Sequence, residues 1–89
     1  MRRKPGDSEV SAAVGKVLER VRRDLKMGQR VASMQVGLAG HQTIRMHESG
    51  VTPITLDYFV RYCLVYGVDP VYVLAQALSE QAKGDDPSE

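Results

Sequence analysis

Between Met27 and Gly50 the sequence reads MGQRVASMQVGLAGHQTIRMHESG. No other stretch restricts the fold as much. It reads as two short helices joined by a tight, glycine-containing turn. The first helix is expected over about 29–36, where Gly37 stops it. The second is expected over about 41–49, with Gly50 at a natural C-terminal position.

The flanking sequence extends the same pattern. Val10, Val14, Val17, Leu18, Val21 and Leu25 recur at helical spacing, predicting a helix from about Ser8 to Lys26. Gly15 weakens its early turns by up to about 1 kcal/mol relative to alanine. Arg20, Arg22, Arg23 and Lys26 crowd its C-terminal half, where cations suit the helix dipole. Pro53 marks a loop, Thr55 can cap a helix over 56–66, and Gly67 ends it. Asp69-Pro70, a cap followed by proline at the first helical position, starts a helix over about 70–82. No segment alternates with period two between hairpin turns. The expected fold class is therefore all-α, with five helices over 8–82. Residues 1–7 are expected to form a flexible basic arm, and 83–89 a polar tail too hydrophilic to pack.

Eighty-nine residues make one domain, near the lower limit for burying a core. A single cysteine, Cys63, excludes an internal disulfide and a cysteine-based metal cluster, which fits a reducing cytoplasm. No apolar run approaches the roughly 18 residues of a membrane span, and the N-terminus lacks the apolar stretch of a signal peptide. The expectation is a cytoplasmic, soluble protein with no membrane partner. The net charge of +1 hides an asymmetry. Residues 1–50 hold ten of the twelve Lys and Arg against five acids, while 51–89 hold two against six. A basic half suits a polyanion such as nucleic acid, because phosphate attraction acts over about a Debye length. A solvated helix face explains the same charges without a partner.

The segment LDYFVRYCLVYG carries only Asp57 and Arg61 as charges, four apart and able to pair. A helix this apolar all round is normally covered on more than one side. Tyr58, Tyr62 and Tyr66 form an i, i+4, i+8 stripe. Two readings stand: the stripe forms a dimer interface, or it belongs to a central core helix.

On a helical wheel of 41–49, at about 100° per residue, Ile44 and His47 fall on the side facing the body of the protein. His41, Gln42, Arg45 and Met46 gather on the other. These outer side chains have the chemistry of major-groove reading. Gln pairs with adenine through two hydrogen bonds, Arg pairs likewise with guanine, His donates or accepts at a base edge, and Met touches a thymine methyl. Thr43 lies at the flank within reach of a phosphate. Gln29 and Arg30 stand at a helix N-terminus, whose free N–H groups favour phosphate.

With these residues in place, the sequence resembles the helix-turn-helix domain of phage repressors and Cro proteins, the Xre-like group of bacterial regulators. In that family a Gln opens the second helix after a short turn, as Met27-Gly28-Gln29 does. The recognition helix reads Thr-Ile, two variable positions, an apolar residue, Glu, any residue and Gly. Thr43-Ile44-Arg45-Met46-His47-Glu48-Ser49-Gly50 is similar, with His47 in the apolar place. Pro53 and then Leu56 through Gly67-Val68-Asp69-Pro70 follow in the family's order. The likeness covers about residues 16–78. The sequence departs from the family in a turn one residue longer than usual, and the small residue packed inside the second helix is Ala32 or Ser33.

The resemblance implies a lambda-repressor-like domain and a sequence-specific DNA-binding transcriptional regulator, a repressor or Cro-like protein. It would dock as a homodimer on a double-stranded DNA operator. His41, Gln42, Arg45 and Met46 would meet bases, and Gln29, Arg30 and Thr43 would meet phosphates. The arm residues Arg2, Arg3 and Lys4 would reach a phosphate or the minor groove. Glu48 reads as a structural brace. No enzyme chemistry is expected: His41 and His47 do not share a face, and Cys63 has no companion cysteine. No cofactor, metal or small-molecule ligand is expected. The competing reading is a protein-interaction module on the same fold, such as an antitoxin or adaptor.

Overall fold

The structure, a computed structural model, describes residues 9–84, with side chains through Gln81. The expected arm (1–7) and the end of the tail (85–89) lie outside the described residues, as do Arg2, Arg3 and Lys4. Five helices follow one another: α1 (Glu9–Asp24), α2 (Gln29–Val36), α3 (His41–Ser49), α4 (Leu56–Tyr66) and α5 (Pro70–Gly84). The described residues contain no strand. The all-α reading holds, and α5 takes in Lys83 and Gly84, which the sequence assigned to the tail.

Local chemistry sets the helix ends. Gly37, at φ 91°, occupies the left-handed region that a side chain disfavours. Its N–H and that of Leu38 both donate to the Ser33 carbonyl, which closes α2. The Thr55 hydroxyl accepts from the Tyr58 N–H at the start of α4. The Asp69 carboxylate accepts from the Val71 N–H ahead of α5. Lys26 ends α1 in the left-handed conformation at φ 60°, unusual for a residue with a side chain.

The core is assembled across all five helices. Val17 and Leu18 of α1, Ala32 and Val36 of α2, and Ile44 of α3 meet Tyr62 and Cys63 of α4 and Val73 and Ala77 of α5. Ala32 and Ser33 are both buried, so both small positions of α2 face inward. Helix α1 is the spine, packing against α5 on one side and α3 on another, while α2 lies against α3 and α4. Arg20 pairs with Glu80 to join α1 to α5. The Ile54 N–H donates to the Ser11 hydroxyl, which ties the 51–55 loop to α1.

The tyrosine stripe resolves in favour of the core. Tyr62 and Tyr66 are buried at 1% and 4% exposure, and Tyr58 is half-buried against the core. Tyr62 and Tyr66 are consumed by the chain's own packing, and Tyr58 keeps part of its surface exposed. The opposite side of α4 is the exposed one. Leu56, Val60 and Leu64 repeat the i, i+4, i+8 spacing two residues out of step, about 200° around the helix, and Leu56 and Leu64 are 75% and 76% exposed. Arg61 is not paired with Asp57 among the described residues. Its guanidinium lies over the Tyr58 ring, 5.4 Å from the centroid, and donates to the Val36 carbonyl.

Candidate nucleic-acid interface

Helix α3 is nine residues long, too short to be stable by itself. Its position depends on what its inner face grips. Ile44 is completely buried, and His47 and Glu48 are nearly so. The inward side thus matches the wheel at Ile44 and His47 and adds Glu48.

Glu48 is the anchor. Arg22 of α1 donates from Nε to Glu48 Oε2 at 2.7 Å and from Nη2 to Oε1 at 3.1 Å. The pair is the two-pronged form that makes such contacts strong and directional. The Gln29 amide donates to the same Oε1 at 3.0 Å. Arg22 also donates from Nη1 to the Met27 carbonyl in the α1–α2 connection. One buried carboxylate therefore holds together α1, the start of α2 and the end of α3. Hydrogen bonding to Glu48 holds the Arg22 guanidinium above its ordinary pKa, against the opposing effect of burial.

His47 forms the second attachment. Its Nδ1 and the Tyr62 hydroxyl share a 2.7 Å hydrogen bond, and its ring meets Tyr62 edge-on and Tyr58 at a tilt. Burial lowers the His47 pKa and so favours the neutral ring. Burial likewise raises the pKa of Tyr62, so burial favours the neutral form of both partners. The third attachment is steric. A Cβ on Gly15 would collide with the His47 carbonyl oxygen, so α1 and α3 touch backbone to backbone at this point.

Gripped this way, α3 presents His41, Gln42 and Arg45 to solvent. Thr43 and Met46 are half-buried, so Met46 is less open than the wheel suggests. Arg30 of α2 is exposed. The Gln29 amide donates to Glu48 and so braces α2 against α3, while the half-buried residue also lines the surface groove between α1 and α3. The N-termini of α2 and α3 are entered from Gly28 and Gly40, and neither has a side-chain cap. Their first N–H groups are left without a local side-chain acceptor. Four residues, 37–40, connect the two helices.

Sequence reasoning missed two residues of this arrangement. Arg22 looked like its exposed neighbours Arg20 and Arg23, and Gly15 looked like a weakness in a helix. The sequence signal that separates Arg22 is its place on the apolar side of α1, four residues after Leu18 and one after Val21.

No protein-family model matches the chain, and no curated protein does. Among solved structures, the crystal structure of the clp gene regulator ClgR from Corynebacterium glutamicum is similar. The two superpose with a TM-score of 0.78 at 20% identity, over 86% of this chain and 84% of that one. The fold is thus the five-helix helix-turn-helix domain. Among the described residues, no helix is long and apolar enough to cross a membrane.

Proposed function

We propose that this chain is a sequence-specific DNA-binding transcriptional regulator of the Xre-like, Cro-like kind. It lays α3 in the major groove and represses by occupying its site. The observation that carries this reading is the division of α3. Three inward residues fix the helix to the core, and the outward row His41, Gln42 and Arg45 has the hydrogen-bonding chemistry of base edges. The uncapped starts of α2 and α3, with exposed Arg30 beside one of them, suit phosphates on either side. That ClgR is a gene regulator supports the same reading.

The regulator works as a homodimer, with two copies of α3 about one turn of DNA apart. The joining surface is the exposed apolar face of α4 and α5, which includes Leu56, Leu64, Val71 and Leu78. It replaces the tyrosine stripe in this role. The same face favours a second reading, a protein-interaction module of the antitoxin or adaptor type, because an apolar surface of this kind suits any protein partner.

The deciding experiment is selection of duplexes by the wild-type chain from a random-sequence pool, followed by titration of the selected duplex against salt. The expected result is enrichment of a two-fold-related site, binding that weakens steeply with salt, and loss of site preference in the Gln42→Ala, Arg45→Ala double variant. Normal site preference in that variant would overturn the assignment of α3. Absence of any duplex binding beside tight binding to a protein partner would favour the second reading.

A further inference from the structure

We infer that Lys16, on α1, is a phosphate-contacting residue that clamps the DNA strand beside α3. This rests on the proposed docking of α3 in the major groove. Two observations place Lys16 there. It lines one surface groove together with Gln42, Arg45, Met46 and Ser49 of α3. Its neighbour Gly15 packs directly against the α3 backbone at His47 and Glu48, so Lys16 is held one residue from that contact.

The electrostatics of the groove favour an anion. Lys16 is exposed and has no ion-pair partner among the described residues. The acids lining the same groove are already engaged. Glu19 accepts from Arg23 at 2.8 Å, and Glu48 accepts from Arg22 and Gln29. Lys16 and Arg45 are left as the open cations on its two walls.

Geometry assigns them different targets. The major groove, about 12 Å wide, admits one helix. With α3 inside it, a side chain from the adjoining helix meets the wall of the groove, which is sugar and phosphate. A lysine, a point charge on a flexible stem, suits a phosphate and carries no base preference. Lys16 therefore contributes affinity and registers α3 in the groove, while Gln42 and Arg45 contribute specificity.

The test compares wild type, Lys16→Ala and Lys16→Arg in the full chain. Each is titrated with a random-sequence duplex and with the duplex that the wild-type chain selects. Lys16→Ala is expected to weaken binding to both duplexes by the same factor. Its salt dependence should be shallower by about 0.9 in log–log slope, so its disadvantage shrinks about 3.5-fold between roughly 50 and 200 mM salt. Lys16→Arg is expected to keep the wild-type slope. Unchanged affinity and slope in Lys16→Ala overturn the assignment of Lys16 alone, as does a loss confined to the selected duplex. Failure of the wild-type chain to bind any duplex overturns the proposed function and this inference together.

Discussion

Arg22 and Glu48 come from positions 26 residues apart and meet in a buried, two-pronged ion pair that fastens the C-terminal end of α3 to α1. Breaking such a pair from one side strands a charge in the interior, at a cost of about 3–5 kcal/mol. Arg22→Ala and Glu48→Ala should each lose about that much in urea unfolding. The Arg22→Met, Glu48→Leu double variant should lose less than either single change, because no charge remains unpaired. Should the alanine variants prove unfolded, Arg22→Lys supplies a milder reading, since it keeps the charge and loses the fork. Single variants as stable as wild type would contradict the description.

Gly15 offers a test in which two effects have opposite signs. Helix propensity alone makes Gly15→Ala stabilising by up to about 1 kcal/mol. The clash with the His47 carbonyl makes it destabilising, typically by about 1–3 kcal/mol for overpacking. Backbone opposes the new methyl group and cannot rotate away, so steric cost should win. Gly15→Ala is expected to melt below the wild type. A higher melting temperature would mean that α1 and α3 do not touch here.

His47 predicts a dependence on pH. Burial depresses its pKa in the folded chain below the ordinary value of 6.5, so the unfolded chain binds the proton more readily. The stability tied to neutral His47 is therefore fully present above pH 6.5 and is lost as pH falls through the lower, folded value. Urea unfolding at about pH 7.5 and about pH 5 should show the wild type weaker at the acid end. The His47→Leu variant should show a smaller difference over the same interval. An equal difference in both proteins would remove His47 as the source.

The exposed face of α4 and α5 yields a prediction about assembly. Sedimentation of the wild-type chain should give twice the chain mass of 9.8 kDa. Leu64→Glu combined with Leu78→Glu should give the single-chain mass with helical content unchanged, since both positions are solvent-exposed. Tyr62→Ala, by contrast, should compromise folding itself, at about 3–5 kcal/mol for emptying a buried aromatic site. A double-glutamate variant that still sediments as a dimer would place the interface elsewhere.

Much of this architecture was legible in the sequence because short-range chemistry controls it. Gly37, Gly50, Thr55, Gly67 and Asp69-Pro70 act on the residues beside them, and the helices they bound run where they were expected. The inward turn of Ile44 and His47 followed from periodicity alone. What was not legible depended on residues distant along the chain. Periodicity put the three tyrosines on one face of α4 but said nothing about which other helices would cover it. Gln29 stood at a helix start, and nothing local announced the hydrogen bond from its amide to Glu48, nineteen residues later. Arg22 and Gly15 gained their importance only when α3 was laid against α1.

The division of α3 also has a consequence for change. Ile44, His47 and Glu48 secure the helix, whereas His41, Gln42 and Arg45 contribute nothing to the interior. Fold stability and target choice are therefore carried by separate alphabets on the same nine residues. The outward letters can be rewritten, by mutation or by design, on a mounting that stays in place. A library varied only at these three positions should remain folded throughout and differ in the sequences it prefers.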